Sequence, residues 1–177
     1  YFIERMNNLG YYPYSHQNYH GPSFFYLTWF FTSIFGYSEL AFRASAYVPS
    51  LLMLLVLLSL RRVERDLTVL FTCLAVALST TLIFVGRYAI HETLFVLSQL
   101  GLAVSIYLWQ RERIPKHLYS AGLWLALLAA TKETYVIAIF CLFIAFHFLG
   151  DWKRVYRDLF VTQRQHFMAA LALSLFV

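Results

Sequence analysis

Apolar residues run in long blocks along this chain, separated by short polar stretches that hold most of the charge. A helix needs about 20 apolar residues to cross a bilayer core. The blocks predict spans near 39–60, 67–86, 90–110, 118–131, 134–149, and from 166 to the end. The fourth and fifth are short, and Thr131-Lys132-Glu133 forms the turn between them. The short alternating segments of a membrane barrel are absent. The pattern predicts an all-α, polytopic transmembrane helix bundle, its spans occupying 39–177.

Residues 1–38 read differently, as an outward loop with juxtamembrane helices. A short helix is expected over 2–9, with Gly10 as its stop. Pro22 is suited to a helix start. The run 22–35 is too short to span and dense in Trp, Tyr and Phe, which suits a helix lying at the membrane interface. Gly36 ends it.

Composition agrees with the pattern. The chain has 177 residues, of which 60% are hydrophobic and only 13% charged, and a soluble domain of that size needs more polar surface. Mean hydropathy is +0.62. The net charge of +5 does not indicate a nucleic-acid partner, because the basic residues sit in short loops between spans. One set of loops carries Arg61, Arg62, Arg65, Arg111, Arg113, Lys116, Lys153, Arg154, Arg157 and Arg164. The alternate set carries Arg5, Arg43, Arg87 and Lys132. Ten against four assigns the first set to the cytoplasm by the positive-inside rule. Loop 1–38, the 86–92 junction and the 131–134 turn then face outward. Cys73 and Cys141 read as small buried residues within spans. The chain starts without Met and stops in an apolar run, so a piece of a longer protein is expected.

Three outward clusters carry chemistry: His16 and His20; Arg87, His91 and Glu92; Lys132 and Glu133. They supply imidazoles, carboxylates and cations, enough to hold a divalent metal or a phosphate and to assist attack by a hydroxyl. Each also has a plain structural role. His20 suits a solvated loop, Glu92 favours the dipole of its helix, and Arg87 and Lys132 suit interfacial anchors. Only their convergence on one face carries the functional reading. Ser98 and Gln99, mid-span, suit bonds across helices. No charge lies at a midplane, which counts against an ion-coupled transporter.

Tyr-His-Gly-Pro-Ser-Phe-Phe-Tyr-Leu-Thr and Phe-Gly-Tyr-Ser-Glu-Leu-Ala-Phe-Arg (35–43) resemble the first-loop region of the GT-C superfamily of polyprenyl-phosphate-dependent glycosyltransferases. That superfamily includes the protein O-mannosyltransferases. Gly-Arg-Tyr-Ala-Ile-His-Glu (86–92) and Ala-Thr-Lys-Glu-Thr-Tyr (130–135) are similar, in the same order, to its prokaryotic flippase-activity-associated branch. The likeness covers roughly 1–150.

The resemblance implies a membrane enzyme that takes sugar from a polyprenyl-phosphate carrier and passes it to a protein, glycan or lipid acceptor outside the cytoplasm, with inversion. It implies a metal-contacting role for His20 with a divalent ion as cofactor, and an acidic role for Glu92 beside His91. Arg87 and Lys132 become the candidates for binding the donor phosphate. The superfamily's usual catalytic acid follows an earlier span, so the resemblance places it upstream of Tyr1. The rival reading is a non-enzymatic protein that assists flipping or handling of lipid-linked sugar.

Overall fold

The computed structural model describes residues 2–11, 21–149 and 152–175, and all regular structure there is helical. Helix α1 spans Phe2–Leu9 and α2 spans Ser23–Phe35. Helix α3 (Glu39–Leu58) continues as a 3-10 turn through Arg62. Then follow α4 (Asp66–Ala77), α5 (Thr80–Gly86), α6 (Glu92–Glu112), α7 (Lys116–Ala129) and α8 (Tyr135–Leu149). Helix α9 (Trp152–Arg157) passes through a π-turn, Asp158–Thr162, into α10 (Arg164–Leu175).

Two of these helices are long and apolar enough to cross a membrane: Glu39–Arg62, of 24 residues, and Glu92–Glu112, of 21. The other predicted spans are helical but shorter. Helix α7 has 14 residues and α8 has 15. At 1.5 Å per residue each covers about 22 Å, against a bilayer core of about 30 Å. The expected span 67–86 is two helices rather than one, split at Leu78–Ser79. The cause is local: the Ser79 hydroxyl accepts the Leu82 N–H at 3.4 Å and starts a new helix there.

Helix α6 is the centre of the packing, with α3 on one side and α7 on the other. Helix α10 lies on α7, while α2, α4 and α5 lie on α3. Phe24, Met53, Leu94 and Leu97 join α2, α3 and α6 in one buried cluster. Leu102, Ala121, Leu128 and Ala138 join α6, α7 and α8 in another. The α7–α10 contact requires Gly122, since a Cβ there would stand 2.5 Å from the Ala170 carbonyl oxygen. The backbones therefore meet as closely as small residues allow.

The helix at 2–9 and the stop at Gly10 match the sequence expectation, and the Gly10 N–H donates to Met6 O at 2.7 Å. Asn7 ties α1 to α2 by accepting the Trp29 indole N–H at 2.5 Å. Ser98 differs from its expected role. Its hydroxyl donates to Leu94 O of its own helix at 2.7 Å. The bond across helices is made instead by Ser105 and Ser120, 2.9 Å apart. Cys141 also differs, being exposed, and Cys73 is half-buried. The reason for Cys141 is that much of α8 stands clear of the bundle, with Val136, Ile137, Phe140 and Phe148 exposed. Leu51, Leu55, Phe71 and Phe84 are exposed on α3, α4 and α5 as well. Apolar surface this extensive marks a protein or membrane interaction face.

The two sets of loops separate to opposite ends of α6. Its 21 residues cover about 30 Å. At its C-terminal end, Glu64 accepts the Tyr107 hydroxyl and lies 3.5 Å from Arg111. Arg113 pairs there with Asp158 at 2.7 Å. Gln163 accepts the Trp109 indole N–H at 2.9 Å and donates to Arg113 O at 2.7 Å. Three segments of the strongly basic set thus meet at one end. The other end holds Glu92.

Candidate functional site

Helix α7 ends by leaving carbonyl groups without helical donors. Two carbonyls just beyond its last residue, Ala129, are satisfied from a segment more than a hundred residues away. The Gly21 N–H donates to Thr131 O at 3.2 Å, and the Ser23 N–H donates to Ala130 O at 3.3 Å. The Ser23 hydroxyl also donates to Ala130 O, at 2.6 Å. Gly21 is needed for this approach, because a Cβ there would overlap the Ala130 carbonyl. Pro22 then precedes the first residue of α2, as its fixed φ favours. The Gly-Pro-Ser motif is therefore a clasp on the end of α7.

That clasp shapes the turn that presents Lys132. Thr131 is fully buried, and its hydroxyl donates to Leu127 O at 2.6 Å. The Tyr135 N–H donates to Lys132 O at 3.1 Å, which starts the approach to α8. Between them, the Lys132 side chain reaches α6. Its Nζ donates to Glu92 Oε1 at 3.1 Å. His91 Nε2 lies 3.2 Å from the same oxygen. The His91 ring meets the buried Phe24 ring edge-on, centroids 6.3 Å apart. Lys132 is 24% exposed and Glu92 39%, so the pair is open to a ligand without being fully hydrated.

The structure thus joins three sequence-predicted residues, His91, Glu92 and Lys132, against a turn clasped by the first loop. It does not join Arg87 to them. Arg87 is exposed and borders a separate cavity of about 260 Å³ with Tyr47 and Ser50 of α3. No described residue pairs with its guanidinium. Glu133 is exposed in the turn. His16 and His20 lie outside the described residues.

The divalent cation expected at His20 falls outside the described residues. No three His, Cys, Asp or Glu side chains converge among the described residues. His91 Nε2 and Lys132 Nζ both approach Glu92 Oε1. The Lys132 ammonium keeps further donors. An ammonium has three donors, and only one of those on Lys132 is directed to Glu92. Phe24, Gly21, Ser23 and Thr131 were not among the sequence candidates as site-builders. Their contacts carry no local signature, since they bridge 107 positions in the case of Ser23 and Ala130.

Comparison with known families decides the class. The sequence model of the dolichyl-phosphate-mannose-protein mannosyltransferase family matches residues 19–177. The chain belongs to this family. The match begins just before the Gly21 clasp and includes His91, Glu92 and Lys132. It agrees with the GT-C resemblance at the level of a mannosyltransferase family that uses lipid-linked mannose. No curated protein and no solved structure matches the chain.

Proposed function

We propose that this protein is a multi-pass membrane glycosyltransferase. It moves a sugar, mannose by family, from a polyprenyl-phosphate carrier to an acceptor on the non-cytoplasmic face. The observation that carries this reading is the Glu92–Lys132 pair, within the family match. It lies at the end of α6 away from the basic loops. By the positive-inside rule that end faces outward.

The chemistry balances simply. The acceptor hydroxyl oxygen bonds to the anomeric carbon. The bond from that carbon to the phosphate oxygen breaks, and the hydroxyl proton passes to a carboxylate. Attack opposite the departing phosphate inverts the anomeric centre. Polyprenyl phosphate leaves with one more negative charge than the donor bore. A preorganised cation is most useful where such charge develops. Lys132 supplies it, with Glu92 holding the ammonium in place until a phosphate oxygen arrives. His91 Nε2 lies 3.2 Å from the same Glu92 oxygen. The exposed apolar faces of the bundle would receive the carrier tail.

The test is sugar transfer by the full-length protein in membranes, from radiolabelled polyprenyl-phosphate mannose. Transfer that is lost in Glu92→Gln, with the protein still folded, supports the enzyme. Absence of transfer with any donor, together with faster movement of lipid-linked sugar across liposomes, supports the flipping role instead.

A further inference from the structure

A second cavity opens at the opposite end of the bundle, between α3, α6 and α7. Its volume is about 570 Å³, within the range of roughly 300–1,000 Å³ typical of ligand pockets. Its walls are mainly apolar, including Leu55, Val104, Leu108 and Trp124. Its mouth is not. Arg62, from the 3-10 turn after α3, and Lys116, at the start of α7, both border it. Both are exposed. Neither forms an ion pair with a described residue, whereas neighbouring Arg61 is paired with Asp66 at 2.7 Å. Among the described residues Glu112 is the carboxylate whose charge reaches both cations, and it also bonds buried His117 at 2.6 Å. Two cations against one carboxylate leave the mouth with a net positive charge among the described residues.

We propose that this cavity binds one anionic phospholipid, with its phosphate between Arg62 and Lys116 and an acyl chain along Leu55, Val104 and Trp124. Charge complementarity selects the head group, and the apolar walls select a chain. Position fits as well. Arg62 closes a 24-residue apolar helix, and a charge at such an end reaches the head-group layer. Basic pockets between membrane helices on the cytoplasmic side bind acidic lipids by the same physics. Its mouth is separated from the Glu92–Lys132 pair by most of the length of α6, and the lining reaches back to Gly101. It rests on the membrane placement proposed above but not on the transfer reaction.

Trp124 lines the cavity and gives a direct readout. The full-length protein would be placed in nanodiscs containing phosphatidylcholine plus brominated phosphatidylglycerol, or brominated phosphatidylcholine at equal bromine content. The quenching that disappears in Trp124→Phe isolates this residue from the other tryptophans. Brominated phosphatidylglycerol is expected to quench Trp124 more strongly. In Arg62→Gln/Lys116→Gln that preference should vanish, with affinity for the anionic lipid falling roughly 30-fold from the loss of two interfacial cations. Equal quenching by both lipids overturns the proposal, as does a preference that survives the double substitution. Absence of quenching by either lipid overturns it too, and points to a protein segment in the cavity. Circular dichroism of the double variant confirms folding. Sugar transfer is measured in parallel: its absence with lipid preference intact counts against the enzyme reading alone.

Discussion

Glu92 Oε1 and Lys132 Nζ stand 3.1 Å apart, although forty positions separate them along the chain. The first opens α6 and the second lies in the turn between α7 and α8. An ion pair this open to solvent contributes little stability, about 0–1 kcal/mol. Under the proposed function its value is positional: it holds a cation at the end of the bundle where the donor phosphate would arrive.

Lys132→Ala is therefore expected to separate function from folding. Transfer efficiency from the lipid-linked donor should fall on the order of 100-fold, the scale for losing one preorganised charge donor. Thermal unfolding should move little. Initial-rate kinetics over a donor series, with a melting curve on the same preparation, checks both. Normal kinetics would show Lys132 to be only an interfacial anchor.

If Glu92 acts by positioning Lys132, the two substitutions will not add. Glu92→Gln and Lys132→Ala should each depress transfer. The double variant should be no worse than the poorer single one, giving a coupling energy of about 0.5–3 kcal/mol. Fully additive losses in a double-mutant cycle would assign Glu92 a role independent of Lys132.

Gly21→Ala tests the clasp. The new Cβ would collide with Ala130 O, and rigid backbone on both sides leaves little room to relax. A cost of about 1–3 kcal/mol is expected, as for other overpacked sites. Ser23→Ala removes one hydroxyl donor and should cost about 1 kcal/mol. Both should lower transfer by displacing the turn that carries Lys132. Chemical denaturation and donor KM report the two effects separately.

Topology follows from the separation of charged loops. Reporter tags at 63, 114 and 155 are expected in the cytoplasm, and a tag at 18 outside. These positions fall in or beside the basic and outward loops respectively. A tag at 18 found in the cytoplasm would remove the basis for an outward site.

Much of the helical order was legible in the sequence because apolar runs and breakers are local. Gly10 ended α1 and Gly36 ended α2 where expected. The turn at Thr131-Lys132-Glu133 lay where two short apolar runs met. Less legible was the break at Ser79, because hydropathy sums over 67–86 do not register a hydroxyl that caps a new helix. Likewise, mid-span Ser98 offered a hydroxyl for a partner helix, but a carbonyl one turn back was nearer.

Read along the chain alone, the residues already make it helical and strongly apolar, set its basic side chains in alternate loops, and offer His91, Glu92 and Lys132 as candidates. Those properties follow from composition and short-range spacing. Which candidates meet depends on packing. It joined Lys132 to Glu92, left Arg87 on another cavity, and clasped Gly21 and Ser23 to the end of α7. The reason is physical: unsatisfied carbonyls at a helix end, and a charge beside an apolar core, take whatever partner packing brings within 3 Å or so. Distance along the chain has no part in that choice.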